Sequence, residues 1–199
     1  MAPKIKVCGV RDVETMRACV EQGVDYVGLN FAPGSRRCID VRLGRELVGV
    51  AAGSDVLVVA VFRDAPPSVV LQIATAIGAH AVQLHGSETP QACATVRERF
   101  PVIKALSIDD WTRQRQRYEE ASDYLLVDAA RPGSGESWDY QSCEATESAF
   151  LAGGLTPENV GAAISAAAPF AVDTASGVEV DGEPSPERVA EFCEAVRCS

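Results

Sequence analysis

Two residues that could carry protons end short apolar runs of the sequence. Cys8 ends the run that begins at Lys4, and Asp128 ends the run that begins at Tyr124. A thiol can act as a general base once it is ionised, which a nearby cation or a helix N-terminus favours. A carboxyl group that follows apolar residues is desolvated, and desolvation favours the protonated form that an acid catalyst needs. The alternatives are an inert buried cysteine and an aspartate that caps a loop or pairs with a cation.

Two glycine-containing turns follow the last two apolar runs and could hold an anion. Gly153 and Gly154 lie between a run and a helical segment, and Ser176 and Gly177 follow the final run. Backbone N–H groups exposed at glycines can approach an anion closely. Either cluster alone is more typical of a tight turn. Both together, in these two units, predict a phosphate site.

Four further polar side chains are candidates for contact with a substrate. Arg36 and Arg37 lie in the loop after the second run, where an arginine could bind a carboxylate through two parallel hydrogen bonds, or the two could form a solvated surface pair. Gln83 and His85 are separated by one residue and therefore face the same side of a strand. A structural hydrogen bond at the strand end is the alternative for His85. Asp173 ends the last run, and we assign it to the substrate site with Arg37, Gln83 and His85.

Eight apolar runs without strict polar alternation recur along the chain, with helix-length segments between them. Such runs are typical of parallel strands that are buried on both faces. At roughly 25 residues per unit, the chain matches eight minimal βα units. The sequence therefore predicts an α/β protein with a single (β/α)8 TIM barrel domain over residues 1–199, in which the residues that end the strands share one mouth. The predicted strands are Lys4–Cys8, Tyr26–Phe31, Val56–Phe62, Ala81–His85, Val102–Leu106, Tyr124–Asp128, Phe150–Gly153 and Phe170–Asp173.

Capping residues mark several of the helices between these strands. Asp12 and Ser185 each precede a helical segment, and Thr156 followed by Pro157 has the same N-terminal signature. A helix is therefore predicted to begin at each of these positions. The stretch 129–148 contains proline and several glycines, which predicts a long mobile loop with only a short or irregular helix.

The composition argues against several classes of protein. A net charge of -10, with three lysines against fifteen arginines, disfavours binding to nucleic acid. No apolar stretch approaches the roughly 20 residues of a membrane span. The seven cysteines show no CxxC spacing and residues 1–6 are too short for a secretory signal, so we expect reduced thiols in the cytoplasm. The two histidines belong to no Cys/His group, so we expect no metal. Both a monomer and a homodimer are compatible with the sequence.

Eight short segments carry a family pattern. They are Lys6–Val10, Pro33–Arg37, Val82–Gly86, Leu125–Asp128, Gly133–Gly135, Gly153–Val160, Val172–Asp173 and Ser176–Glu179. In this order they make the chain resemble phosphoribosylanthranilate isomerase, a family of barrel enzymes of tryptophan biosynthesis. The resemblance covers essentially the whole chain.

The resemblance implies a reaction and a set of roles. The reaction is an Amadori rearrangement of N-(5-phosphoribosyl)anthranilate to 1-(2-carboxyphenylamino)-1-deoxyribulose 5-phosphate, which needs no metal or other cofactor. Cys8 would be the general base, Asp128 the general acid and Arg37 the partner of the anthranilate carboxylate. The residues that would hold the phosphate are Gly153, Gly154, Ser176 and Gly177.

Several residues near the predicted mouth depart from the family pattern. They are Asn30, Cys38 and Glu136, and the loop after Asp128 is short. A diverged paralogue that isomerises a related aminoaryl sugar phosphate is therefore one alternative. A second is a barrel that binds a phosphosugar without catalysis, which would keep both glycine turns but would need neither Asp128 nor Cys8.

Overall fold

Eight parallel strands close into a barrel in the order in which they occur along the chain. The structure, a computed structural model, describes residues 2–130, 138–143 and 148–199. Each strand is hydrogen-bonded to the next, and the last is bonded to the first, which confirms the predicted (β/α)8 barrel. The strands are β1 (Lys4–Cys8), β2 (Tyr26–Asn30), β3 (Leu57–Phe62), β4 (Ala81–Leu84), β5 (Val102–Ser107), β6 (Tyr124–Asp128), β7 (Ala149–Leu151) and β8 (Ala171–Thr174).

Helices occupy the segments between the strands and after the last one. They are α1 (Val13–Glu21), α2 (Val41–Ala51), α3 (Pro67–Ile77), α4 (Pro90–Arg97), α5 (Ile108–Gln114), α6 (Gln116–Glu119), α7 (Val160–Ala167) and α8 (Pro186–Arg197). A small antiparallel hairpin, β9 (Glu179–Val180) and β10 (Glu183–Pro184), lies between β8 and α8. None of the helices in the described ranges has the length and the apolar character needed to cross a bilayer.

The helix starts follow the capping residues in two cases and differ in the third. Asp12 and Ser185 cap α1 and α8 as predicted, because each side chain accepts a hydrogen bond from a backbone N–H of the first turn. The predicted start at Thr156 is wrong, since α7 begins at Val160. The side chain of Asn159 accepts from the Thr156 N–H at 2.8 Å and closes a separate turn ahead of the helix.

The predicted loop 129–148 is described only in part. Tyr140–Ser142 forms one turn of 3-10 helix, in line with the expected short helix. The remainder of this prediction falls largely on residues 131–137 and 144–147, which lie outside the described residues together with the Gly133–Gly135 motif.

The side chains of the strands form two separate cores. One set packs between the barrel and the helices, and the other fills the barrel interior. At the end where the strands begin, the rings of Tyr26, Tyr124, Phe150 and Phe170 interlock with centroids 5.3 to 5.7 Å apart. This aromatic layer closes that end of the barrel. The polar residues that face the interior are therefore confined to the opposite end, where the strands finish.

Candidate active site

A cavity of about 570 Å³ opens at the C-terminal end of the barrel. Eight of the ten predicted site residues line it: Cys8, Arg37, His85, Asp128, Gly153, Gly154, Asp173 and Ser176. Gln83 and Gly177 lie behind the wall and contact residues that form it. Among the described residues, no three His, Cys, Asp or Glu side chains are grouped as a metal ion would require.

Cys8 lies near a buried ion pair that the sequence analysis missed. Lys6 precedes Cys8 by two residues on β1, so both side chains face the barrel interior. Its Nζ lies 2.8 Å from each carboxylate oxygen of Asp173 on the neighbouring strand β8. Although burial lowers the pKa of Lys6, the charge and hydrogen bonds of Asp173 outweigh burial and raise it. Lys6 therefore carries a positive charge inside the barrel.

Burial raises the pKa of the Cys8 thiol above its ordinary value. The positive charges of Lys6 and Arg37 act in the opposite direction, toward a lower pKa, but burial is the larger effect. The nearby cations that the sequence analysis named as favouring ionisation are thus Lys6 and Arg37, and burial outweighs their effect on the pKa of Cys8. Lys6 and Arg37 are therefore the groups that favour the Cys8 thiolate.

Asp128 is buried at the end of β6 and is held on both carboxylate oxygens. Its Oδ1 accepts from the N–H of Ala129 at 2.8 Å, and its Oδ2 lies 3.2 Å from Nε2 of His85. On the far side of the ring, Nδ1 of His85 lies 2.7 Å from the amide nitrogen of Gln83. Gln83 therefore orients the imidazole, and the imidazole orients the carboxyl group.

Arg37 is almost completely buried, so it is not the solvated surface residue that was one alternative. Its Nε and Nη2 donate to the two carboxylate oxygens of Glu179 at 2.6 and 2.9 Å, and the more exposed Arg36 also pairs with Glu179. Burial disfavours the charged guanidinium, but Glu179 more than compensates and raises the pKa of Arg37. Glu179 was noted only as part of a family motif. Its role depends on a contact across 142 positions of sequence, which no local pattern shows.

The loop that carries Arg37 is shaped by Asn30, one of the departures from the family pattern. The Asn30 Oδ1 accepts from a backbone N–H two residues further on at 2.8 Å, and its Nδ2 donates to the Ser35 hydroxyl at 3.3 Å. The same hydroxyl accepts from the backbone N–H of Arg37 at 3.2 Å. Cys38 forms an isolated bridge with Asn30, whereas Glu136 lies outside the described residues.

The turn after β7 has the properties expected of an anion site. Gly153 and Gly154 have φ values of 91° and 64°, in the left-handed region that favours glycine. Within the described part of the chain, their N–H groups and that of Leu155 donate to no protein acceptor. Ser176 begins a 3-10 turn, where N–H groups lack partners within the turn. Gly177 has a different position, because a Cβ there would lie 2.0 Å from the Leu155 carbonyl oxygen. Gly177 therefore lets the two turns pack together.

The chain is similar to known proteins of one family over nearly its whole length. The model of the family described as N-(5'phosphoribosyl)anthranilate (PRA) isomerase matches residues 5–195. The N-(5'-phosphoribosyl)anthranilate isomerase of Moorella thermoacetica is 39% identical over 204 residues, which cover 98% of this chain and 89% of the relative.

Solved structures agree with the sequence comparison. A phosphoribosyl anthranilate isomerase in complex with reduced 1-(o-carboxyphenylamino)-1-deoxyribulose 5-phosphate superposes with a TM-score of 0.85 at 31% identity, covering 99% of this chain and 100% of the other. Mutually generated monomers of the dimeric isomerase from Thermotoga maritima superpose with a TM-score of 0.84 at 31% identity, with the same coverage.

Proposed function

Because this chain belongs to the N-(5'-phosphoribosyl)anthranilate isomerase family, we propose that Cys8 and Asp128 are the base and the acid with which it catalyses the family's reaction. The protein is an isomerase of tryptophan biosynthesis that acts on a phosphorylated substrate. One observation carries the assignment of the two residues. Cys8 and Asp128 line the same cavity from strands β1 and β6, and the turns after β7 and β8 lie between them on one side of the rim.

The phosphate of the substrate is assigned to the turns after β7 and β8. The protein carries a net charge of -10, so its average field repels an anionic substrate and a local positive potential must hold the phosphate. Backbone N–H groups at Gly153, Gly154 and Leu155 supply such a potential, together with those at the start of the Ser176 turn. This arrangement supports the phosphate assignment of three predicted residues. Gly177 serves the same site by letting the two turns approach each other.

The carboxylate of the anthranilate ring is assigned to Arg37. Two arginines face the single charge of Glu179, so the cluster keeps a net positive charge beside the cavity. Glu179 occupies the edge of the Arg37 guanidinium formed by Nε and Nη2. The substrate carboxylate is therefore bound end-on through the remaining N–H groups, with Glu179 fixing the direction of the guanidinium.

The reaction begins at Asp128. Asp128 transfers a proton to the ribose ring oxygen as the furanose opens to a Schiff base, which leaves its carboxylate facing the imidazole of His85. The contacts of Gln83 with Nδ1 of His85 and of Nε2 with Asp128 are compatible with the tautomer that carries its proton on Nε2, which would donate to the carboxylate. The hydrogen bonds from His85 and Ala129 thus stabilise the charge that appears when the proton leaves.

The second step is carried out by Cys8. As a thiolate, Cys8 removes the proton from C2 of the Schiff base to give an enolamine, which then tautomerises to the ketone. The positive charges of Lys6 and Arg37 favour the thiolate against the effect of burial. One acid and one base on different strands are sufficient for this sequence of proton transfers.

The roles are tested with Cys8→Ala and Asp128→Asn in steady-state assays of the isomerisation. We expect kcat to fall by about 10²- to 10⁴-fold in each variant, as is usual for the loss of a general acid or base. Inhibition by inorganic phosphate should be unchanged, because both substitutions lie outside the phosphate turns. Cys198→Ala, which alters an exposed thiol, is the matched control. Near wild-type turnover in Cys8→Ala or Asp128→Asn would show that the assigned role is wrong.

The enzyme is also assigned a cellular location and an oligomeric state. None of its seven cysteines has CxxC spacing, and the proposed location is the reducing cytoplasm. Its assembly is a monomer or a homodimer, the second being the state named for the Thermotoga maritima relative. Light scattering coupled to size-exclusion chromatography distinguishes the two states.

A further inference from the structure

Four consecutive backbone carbonyls in the turn after β7 are each held by a side-chain donor. The bonds are Trp138 Nε1 to Ala152 O at 2.9 Å, Tyr140 OH to Gly153 O at 2.6 Å, Asn159 Nδ2 to Gly154 O at 2.8 Å and Thr174 Oγ1 to Leu155 O at 2.8 Å. A turn of this length normally has its carbonyls in solvent or in backbone hydrogen bonds. Here every carbonyl is fixed by a different side chain, so the orientation of each peptide plane is fixed as well.

Fixing these carbonyls also fixes the N–H groups of the turn. In a planar trans peptide, the C=O of one residue and the N–H of the next point in opposite directions. The bond from Trp138 to the first carbonyl therefore directs the N–H of Gly153 away from the indole, and the bond from Tyr140 directs the N–H of Gly154 away from the phenol. Both glycines line the cavity, and neither N–H has an acceptor among the described residues.

Trp138 and Tyr140 differ from the other two donors in where they come from. Asn159 and Thr174 belong to the β7 and β8 units, whereas Trp138 and Tyr140 belong to the stretch that follows β6, the strand that ends at Asp128. Their rings pack with centroids 5.0 Å apart. The two aromatic residues thus join the chain segment of the proposed acid to the turn proposed to bind phosphate.

The packing at this junction leaves no room for a side chain at Gly153. A Cβ at that position would lie 2.7 Å from the Trp138 Nε1 and 2.7 Å from the backbone nitrogen of Ala129. Burial, with a smaller effect from the charge of Asp128, raises the pKa of Tyr140 to about 12. Its hydroxyl therefore remains a donor throughout the pH range in which enzymes are assayed.

We propose that Trp138 and Tyr140 are positioning residues that hold the turn after β7 in its anion-binding shape. This inference rests on the phosphate site proposed above and adds the side chains that preorganise it. Without the hydroxyl of Tyr140, the peptide between Gly153 and Gly154 can rotate, and part of the ordering of the turn must then be supplied when phosphate binds. Phosphate affinity falls as a result, while the acid and the base are untouched.

The test removes one side-chain donor at a time. Tyr140→Phe deletes only the bond to the Gly153 carbonyl, and Trp138→Phe is a second variant that removes the indole donor. The control is Tyr118→Phe, since the Tyr118 hydroxyl also donates to a backbone carbonyl in a buried position, at 3.1 Å, but away from the cavity. Binding of inorganic phosphate is measured by calorimetry and by competitive inhibition, and kcat and KM are measured with the isomerase substrate.

We expect Tyr140→Phe to weaken phosphate binding by about 2- to 10-fold and to raise KM by a similar factor, as the loss of one neutral hydrogen bond implies. Its kcat should stay within about twofold of the wild type, and Trp138→Phe should change in the same direction. Tyr118→Phe should leave phosphate affinity and KM unchanged. Tyr118→Phe also loses a hydroxyl that donates to a backbone carbonyl, so a general loss of stability would appear in both variants. Weaker phosphate binding in Tyr140→Phe alone therefore indicates a positioning role.

Three results would overturn the inference: wild-type phosphate affinity in a folded Tyr140→Phe, an equal loss in Tyr118→Phe, or a fall in kcat with phosphate affinity unchanged. A different result would show that the proposed phosphate site itself is wrong. If inorganic phosphate does not compete with the substrate in the wild-type enzyme, the phosphate site itself is misplaced. If it competes equally in the wild type and both aromatic variants, only the positioning role fails.

Discussion

The imidazole Nε2 of His85 lies 3.2 Å from Oδ2 of Asp128, so the proposed acid is held by a ring that is itself fixed by Gln83. This contact spans β4 and β6, which are separated by one strand in the barrel. A carboxyl group whose rotation is restricted in this way points toward the cavity before substrate arrives. Preorganisation of this kind lowers the cost of reaching the transition state.

Replacement of His85 by alanine should lower kcat by about 10- to 100-fold with a small change in KM. The variant lacks the hydrogen bond that stabilises the Asp128 carboxylate once its proton has been transferred. Steady-state kinetics of His85→Ala measure the effect. His80→Ala is a matched control, since His80 is the only other histidine and its Nδ1 accepts from the Val58 N–H near the start of β3. Similar kcat values for the two variants would refute the role of His85.

Replacement of Arg37 by alanine should raise KM for the anthranilate substrate by about 10- to 100-fold, which is the loss expected for a charged hydrogen-bonded contact. An analogue that lacks the carboxylate should be affected much less. Arg36→Ala is the comparison, because Arg36 is more exposed and pairs with the same glutamate, and it should raise KM less. Equal effects of Arg37→Ala on the substrate and the analogue would exclude the proposed contact.

Much of the fold could be predicted because the strands of a closed parallel barrel are buried on both faces. This burial leaves apolar runs that a single sequence displays, and the ends of the runs identify Cys8, Asp128 and Asp173 as neighbours of one mouth. The start of α7 could not be predicted in the same way. The residues after Thr156 do form a turn, but it is a separate turn that closes when the Asn159 side chain accepts from the Thr156 N–H, and the helix begins only after it.

The missed site residues share a physical reason. Lys6 stands in the middle of an apolar run, where a lysine alone suggests an exposed position, yet its side chain is fully buried. The partner that makes this burial possible, Asp173, lies 167 positions away in sequence. Glu179 likewise contacts Arg37 only after the barrel has closed. Pairs of this kind follow from the three-dimensional structure and not from local spacing.

Replacement of Lys6 by methionine should destabilise the protein by about 3–5 kcal/mol, because the carboxylate of Asp173 would remain buried without its partner. The double variant Lys6→Met with Asp173→Asn should recover part of this loss. Urea unfolding gives the free energy of unfolding of the wild type, the single variant and the double variant. Lys4→Met is a control on the same strand, since the pair of Lys4 with Asp25 is largely exposed and should contribute at most about 1 kcal/mol. An equal loss for Lys6→Met and Lys4→Met would contradict this account of the buried pair.

Alkylation of Cys8 should show the effect of burial on its thiol. The pKa of Cys8 is raised above the ordinary value of 9.0, so labelling by iodoacetamide should reach half its maximal rate at a higher pH in the folded protein than in urea. The same shift implies that Cys8 favours folding below pH 9 and that this contribution is lost as the pH rises through the raised pKa. Mass spectrometry of the labelled peptide gives both curves, and a folded midpoint at or below the unfolded one would reject the assigned direction.

Two glycine-to-alanine substitutions should have opposite effects on stability. In Gly177→Ala, the new Cβ would lie 2.0 Å from the Leu155 carbonyl oxygen, which belongs to the backbone and cannot move without opening the turn after β7. We expect this variant to lose roughly 1–3 kcal/mol of stability and to bind inorganic phosphate more weakly. Gly49 lies within α2 and has no atom within 4 Å of an added Cβ, so Gly49→Ala should stabilise the protein by about 0.5–1 kcal/mol. Thermal and urea unfolding compare the two variants. A Gly177→Ala protein with wild-type stability and phosphate affinity would mean that the turns after β7 and β8 are not packed against each other.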